Sequence, residues 1–499
     1  MGYLEFDKND LINLEYSLKR EIIRSNRAGS YASSTIIGCN IRKYHGLLVC
    51  PCHKKSSDNH VLISSLDATI VQYDQEFNLG IHKYQGDLFI PKGHKYAREY
   101  RAETVEEIVY RIGGVVLKRE SVLVEKKEQI LIKYTLVDAQ SPVLLKLRPF
   151  LAFRNVHSLS KANMYANTRY RNTSNGIYSR LYDGFPGLYM QISKKVEFVA
   201  VPDWYYGIEY QKEQTRGYDY KEDLFVPGYF EVPIRRGESI VFSACTSEVN
   251  PAGLKKKFSS ETQTRIPRDS FMNCLNNSAD QFLVKKERGT EIIAGYPWFG
   301  TWGRDTFIAL PGITLARGNY KIARDVIQTM GKRLKNGLFP NMGIKNDVSY
   351  NSVDAPMWFI YALREYEKHL PESEIWRTWG SKIKSILKAF RDGTDFNIKM
   401  DQNGLIYAGE EGKALTWMDA VNTFGPVTPR IGNPVEVNAL WYNNLVQSLM
   451  WAEKSGDTKF ISEWKDLPER IANSFIQHFW NDEKGYLALH LHRLNRDFK

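Results

Sequence analysis

The sequence predicts two folds in succession: an antiparallel β-sandwich over residues 1–250 and a helical domain over residues 271–499, joined by a linker at 251–270. Three observations carry this reading. A chain of 499 residues exceeds what one hydrophobic core usually serves. Apolar residues recur with period two in the first half and with period 3.6 from about residue 270 onward. Turn residues punctuate the first half at hairpin spacing.

An amphipathic segment at 9–24 opens the chain, and strand-like runs follow: HVLISSLDATIVQY, GGVVLKRESVLVEK, QILIKYTLVD, PVLLKLRPFLAF and ESIVFSACT. They are rich in β-branched residues and end at Gly113-Gly114, Ser141-Pro142, Pro186-Gly187 and Arg236-Gly237, the pattern of a large sandwich. The stretch PAGLKKKFSSETQTRIPRDS at 251–270 is polar and reads as the linker. Beyond it the spacing predicts about seven helices, at 271–287, 304–316, 319–335, 353–369, 372–393, 435–455 and 458–480, the last kinked at Pro468. In 435–455 the apolar stripe is Val437, Leu440, Trp441, Leu445 and Leu449. Two long connections, 336–352 and 394–434, interrupt the helices; loops of that length in a helical array point to a site.

Composition narrows the class. With 43% hydrophobic and 25% charged residues the chain is that of a globular protein, and only its 13% aromatic content is unusual. The net charge of +11 is spread over short mixed-sign runs. There is no basic arm, zinc-ligand spacing or RNA-binding aromatic signature, so nucleic acid is not an expected partner. The five cysteines, Cys39, Cys50, Cys52, Cys245 and Cys274, are odd in number and contain no C-x-x-C pair, which predicts reduced thiols. No leader-like N-terminus and no run of 18 apolar residues is present, which predicts a cytoplasmic protein without a membrane partner. His45 in RKYHGLL reads as a structural histidine; His490 and His492 lack a third ligand nearby, so neither a metal nor another cofactor is expected.

Three stretches combine aromatics with carboxylates: WFGTWGRDTF at 298–307, YNSVDAPMWF at 350–359 and LTWMDAV at 415–421. Sugar rings have apolar faces and hydroxyl rims, so a saccharide site needs flat aromatic walls with Asp, Glu, Arg or Asn at the edges. Each stretch taken alone also reads as a buried indole beside a helix-capping acid. Three together favour the sugar reading.

These stretches, with AGYPWFGTWGRDTFIALPG at 294–312, TPRIGNPVEVNALWY at 428–442 and SYASSTIIGCNIRKYHGLLV at 30–49, resemble the glycogen debranching enzyme (amylo-α-1,6-glucosidase) family of bacterial and archaeal type. The resemblance implies a β-sandwich followed by an (α/α)6 barrel, and hydrolysis of α-1,6 branch points in glycogen or a related α-glucan by an inverting acid/base mechanism. By that resemblance Asp419 is the general acid, and Trp417 beside it is expected to desolvate it and raise its pKa. Arg304 and Asp305 are expected to grip the terminal glucose, with Trp298 and Trp302 as part of an aromatic wall. Asp354, Trp358, Arg430 and Glu436 are further candidates for substrate binding, equally readable as a cap or an Arg–Glu pair.

About seven helices fall short of the twelve that an (α/α)6 barrel holds, and the family's general base, a glutamate near the end of the barrel, has no evident counterpart after Tyr486. The expectation is therefore a truncated barrel of doubtful activity, with Glu436 and Asp354 as the in-chain candidates for the base. A glycoside phosphorylase, another helical-barrel glycosidase and a non-catalytic glucan-binding protein are the alternatives.

Overall fold

The paired glycines Gly113 and Gly114 adopt φ of 53° and 82° and reverse the chain so that Ile112 faces Val115 across an antiparallel pair. Only residues without a Cβ enter such a turn freely, and its twist suits the flanking strands. This hairpin belongs to a computed structural model that describes residues 3–492 apart from 53, 57, 287–288, 342–347 and 372–373. The chain divides into two compact units, residues 1–282 and 283–499.

The first unit is a sandwich of two antiparallel sheets. One sheet orders nine strands as Glu5–Asp7, Ala97–Ala102, Glu106–Ile112, Val115–Leu123, Gln129–Asp138, Ser239–Cys245, Leu188–Ile192, Gly176–Ser179 and Tyr170–Thr173. The other runs Glu197–Glu209, Lys221–Ile234, Val143–Asn155, Asn59–Gln72, Gly46–Pro51, Tyr31–Thr35 and Glu21–Ser25, with Gln75–Asn78 paired to the far end of Asn59–Gln72. Ile132, Tyr134, Ile240 and Phe242 of the first sheet share one buried core with Leu48, Ile63, Leu145 and Phe230 of the second. Phe230 and Phe242 meet across it with ring centroids 6.0 Å apart.

Three expectations for this unit need correction. The polar stretch at 251–270 is no linker: Leu254–Gln263 is a helix whose Leu254 and Phe258, one turn apart, pack on Val122, Leu131 and Val241. These sheet residues face away from the main core, so two apolar side chains in a polar segment suffice to hold it there. The helix expected at 271–287 ends at Phe282 and gives way to a hairpin of Leu283–Lys286 with Gly289–Ile292. The opening segment 9–24 holds two short helices, Lys8–Ile12 and Leu14–Ser17, because Asn13 is extended and its side chain accepts from Tyr16 N, and it ends in the strand Glu21–Ser25.

In the second unit Gly303–Ile313, Tyr320–Gly331, Ala355–Glu367, Glu374–Asp392 and Val435–Lys454 form where the spacing placed them. The last expected helix is broken rather than kinked. Thr458–Trp464 stops before Leu467–Phe479, and Pro468 occupies the first turn of the second piece, where its missing N–H costs nothing. Phe307, Phe339 and Phe359 pack as a triad with centroids 4.9–5.2 Å apart. On Val435–Lys454 the stripe is only partly as expected: Val437, Trp441 and Leu445 are buried, whereas Leu440 and Leu449 lie at its flank and Asn438, Asn444 and Ser448 take buried places. No described helix is long and apolar enough to cross a membrane.

His45 has the structural role expected of it. It is 1% exposed, its Nδ1 accepts from Ile41 N at 3.3 Å, and its Nε2 therefore donates to Glu21 Oε2 at 2.9 Å. Arg42 adds two donors to the same carboxylate, at 2.6 and 3.0 Å. Burial alone would raise the Glu21 carboxyl, but these bonds pull it down to about 2 from an ordinary 4.5. A depressed carboxyl stabilises the fold at pH above its unfolded value, so this contribution is complete above about 4.5 and is lost as pH falls toward about 2. Glu21→Gln is expected to cost about 2 kcal/mol at pH 7. In denaturant titrations the gap between variant and wild type should close through that pH window; a gap that stays constant down to pH 2.5 would contradict the charge-based account.

Candidate functional site

Gly303 begins the construction. Its N–H donates to Pro340 O at 3.0 Å, and a Cβ there would lie 2.4 Å from the same oxygen, so only glycine permits this approach. The contact fixes the start of Gly303–Ile313 and directs Arg304 inward, where it is 6% exposed. Its guanidinium meets three carboxylates. Nη2 donates to Asp419 Oδ2 at 2.6 Å, Nη1 lies 3.7 Å from Asp354 Oδ1, and Nε lies 3.9 Å from Asp305 Oδ2.

The segments bearing those acids are tied together by backbone. Val353 N donates to Leu415 O at 2.9 Å and Asn351 Nδ2 to Ala414 O at 3.2 Å, which sets the Asp354 stretch beside the Asp419 stretch. The long connection 394–434 is held by the buried polar residues of Val435–Lys454. Ile406 N donates to Asn438 Oδ1 at 2.6 Å, Asn438 Nδ2 returns to Ile406 O at 3.1 Å, and Trp441 Nε1 reaches Gly404 O at 3.1 Å. Asn438 thus satisfies loop backbone that would otherwise be buried unpaired.

Asp354 stands at the N-cap of Ala355–Glu367 but its carboxylate makes no capping bond, and Asp419 caps no helix. Asp354 precedes Ala355–Glu367, yet Ser352 Oγ accepts the N–H of Ala355 at 3.3 Å and donates to Asp354 Oδ1 at 2.6 Å, leaving the carboxylate toward Arg304. Asp419 is followed by the extended Val421–Asn422 and not by a helical turn. Arg430 and Glu436 form a bidentate pair, with Nη1 to Oε1 at 2.5 Å and Nη2 to Oε2 at 2.8 Å. Arg430 also donates to Thr416 Oγ1 at 3.2 Å and to Leu489 O at 2.8 Å. His490 Nε2 donates to Ile431 O at 3.1 Å next to that pair. Ser352, Thr416 and His490 are the contributors that the motifs did not mark. Ser352, two residues ahead of Asp354, carries the one legible signal, a hydroxyl at turn spacing from an acid.

The aromatic residues keep accessible surface. Trp298 is 38% exposed and Trp417 55%, while Trp302 and Trp358 are half-buried. Phe299 and Trp302 meet edge to face at 5.3 Å, as do Trp358 and Tyr361 at 5.4 Å. The Trp417 indole keeps over half of its surface exposed, and the group hydrogen-bonded to the Asp419 carboxylate is the Arg304 guanidinium.

One guanidinium among three carboxylates leaves an excess of negative charge. Burial works against the Arg304 charge, but Asp354, Asp419 and Asp305 more than offset it, and the arginine holds its proton more firmly than usual. Burial raises the Asp354 carboxyl above the ordinary aspartate range, against the pull of Arg304, with Glu436 adding to the rise. Asp419 is the more open acid, its side chain 27% exposed, and its Oδ1 makes no hydrogen bond among the described residues. The arrangement therefore offers an accessible carboxylate, with one oxygen unengaged among the described residues, backed by a fixed cation.

Removing Arg304 would leave buried acids uncompensated. Arg304→Met is expected to cost about 3–5 kcal/mol in urea unfolding. Asp354→Asn in the same chain should recover part of that loss, and strict additivity in the double-mutant cycle would show that the two side chains share no charge interaction.

Residues 20–241 match the family model described as glycogen debranching enzyme N terminal, and residues 277–498 match the model described as amylo-α-1,6-glucosidase. The glycogen debranching enzyme of Saccharomyces cerevisiae is 28% identical over a match that covers 34% of this chain and 16% of the yeast protein, so the similarity spans about a sixth of that relative's length. A bacterial glucoamylase solved in complex with acarbose aligns at 10% identity and a TM-score of 0.49, over 96% of this chain and 67% of that one. With one model taking up most of each half, the chain belongs to the glycogen debranching enzyme (amylo-α-1,6-glucosidase) family.

Proposed function

We propose that the chain is a glycoside hydrolase that releases glucose from α-1,6 branch points of glycogen or a related α-glucan, with Asp419 as the general acid. The observation that carries this reading is the hydrogen bond between Arg304 and Asp419, which joins the first aromatic–carboxylate stretch to the third. Cleavage needs a proton delivered to the leaving oxygen as the bond to the anomeric carbon breaks, while a carboxylate on the opposite face takes a proton from the attacking water. Asp419, partly exposed and with one oxygen unengaged among the described residues, suits delivery of the first proton. Of the two in-chain candidates for the second role Glu436 is 27% exposed, whereas Asp354 lies 2% exposed under Arg304 and suits an anchor for that guanidinium.

Arg304 and Asp305 then serve the hydroxyl rim of the terminal glucose, a fork of donors beside acceptor oxygens. Trp298, Trp302, Trp358 and Trp417 serve the apolar ring faces. Arg430, held by Glu436 and Thr416, stiffens the loop that carries Asp419. The helices of the second unit are read as part of an (α/α)6 arrangement, which the family match at 277–498 supports.

Product analysis on a branched limit dextrin and on linear maltooligosaccharides tests the reading. Free glucose should appear from the limit dextrin. Asp419→Asn should keep the fold and glucan binding, with a small drop in unfolding midpoint from the lost charge beside Arg304, while lowering turnover at least ~100-fold, since the amide has the same shape and no acidic proton. Glu436→Gln should lower turnover comparably if Glu436 holds the water. Full activity in Asp419→Asn would overturn the acid assignment, sugar phosphate formed only with inorganic phosphate present would make the protein a phosphorylase, and binding without turnover would make it a glucan-binding protein.

A further inference from the structure

Far along the chain from the residues of the proposed active site, the first unit encloses a cavity of about 160 Å³ lined by four arginines, Arg24, Arg27, Arg265 and Arg268. They come from the strand Glu21–Ser25, the turn after it and the segment that follows Leu254–Gln263. Their neutralisation is incomplete. Arg268 is 7% exposed, donates to Glu103 O at 3.3 Å and makes no ion pair among the described residues. Arg24 has Glu106 3.4 Å from its Nε, while its Nη2 is buried without a hydrogen-bond partner among the described residues. Arg265 donates through Nη2 to Leu123 O at 2.7 Å and to Glu261 at 3.0 Å, yet its Nε is likewise buried and unpartnered. Glu261 is shared, because it also takes Lys257 at 2.7 Å and the N–H of Glu125 at 3.0 Å. Arg27 reaches Glu125 and Asp280 only at 3.8 and 4.0 Å.

Packing guanidiniums together away from water costs free energy unless an anion lies between them. The strain is visible in Arg268, whose pKa burial and then the neighbouring Arg24 lower to about 10, and in Arg24, which burial lowers as well. A cavity lined by several guanidinium groups suits a tetrahedral oxyanion, which can take many donors, better than a planar carboxylate, which one arginine fork satisfies alone. The volume is below that of pockets for drug-sized ligands, so a glucan chain is too large and an anionic head group fits.

We propose that this cavity binds phosphate, free or as the phosphomonoester of a small metabolite, between Arg24, Arg265 and Arg268. Because the site lies within residues 24–281, this inference is independent of the glucosidase assignment.

The test uses the full chain in phosphate-free buffer at constant ionic strength, by calorimetric titration and thermal unfolding, with inorganic phosphate, glucose 6-phosphate and sodium chloride as probes. Phosphate should bind saturably and raise the unfolding midpoint where chloride does not. Arg268→Gln should weaken binding at least tenfold, and Arg268→Lys, which keeps the charge but loses the fork, should fall between. In the absence of anion Arg268→Gln should unfold no lower than wild type, an outcome that a purely structural arginine would not give. The exposed Arg236→Gln serves as a control that leaves binding unchanged. Tighter binding of glucose 6-phosphate than of phosphate would identify the phosphomonoester as the source, and equal binding would identify free phosphate. No saturable binding of either probe, or wild-type affinity in Arg268→Gln, would overturn the proposal.

Discussion

A guanidinium buried at 6% exposure has to be neutralised where it stands, and Arg304 is neutralised by acids from three separate stretches of chain. That requirement fixes more than one side chain. It brings the 350–359 and 415–421 segments to the start of Gly303–Ile313, and it aligns Asp419 against a cation that cannot lose its proton. The excess of carboxylates over cations also sets their roles apart. The acid buried deepest, Asp354, is the one pushed toward protonation, while Asp419 faces outward.

The connections that carry these acids are long, and their order comes from specific backbone satisfaction. Asn438 receives Ile406 N and returns a bond to its carbonyl, Trp441 donates to Gly404 O, and Asn433 Nδ2 adds a bond to Ile406 O at 3.0 Å. The Asn438 and Trp441 bonds use polar atoms on a helix face that would otherwise be apolar, so the helix trades hydrophobic burial for control of the loop, and Asn433 adds its bond from the strand just ahead of it. Close approach at Gly303 works the same way from the other side, since a single added methyl would meet Pro340 O.

In the first unit a comparable economy operates. The nine-stranded sheet has apolar residues on its outer side, and the helix Leu254–Gln263 covers them with Leu254 and Phe258 while its remaining surface stays polar. The same stretch continues to Arg265 and Arg268, so the element that completes the hydrophobic packing also delivers positive charge to the arginine-lined cavity.

The sequence alone determined the alternation of strands, the glycine turn at 113–114, the change to helical spacing and the family motifs that select Arg304, Asp305, Asp354 and Asp419, because each rests on local periodicity or on a run of adjacent residues. Local signals failed where a residue's role depends on a distant partner. The polar segment 251–270 folds onto a sheet whose outer apolar face is not legible in its own composition, and Asn438 and Asn444 are buried against backbone carbonyls distant in the chain, Ile406 O of the long connection and Met357 O of the helix Ala355–Glu367. The partner that holds Asp419 is Arg304, 115 positions away in the chain, and not a near neighbour in sequence. Which charges meet is decided by tertiary structure, since the free energy of an ion pair depends on separation and burial, and neither quantity is encoded in spacing along the chain.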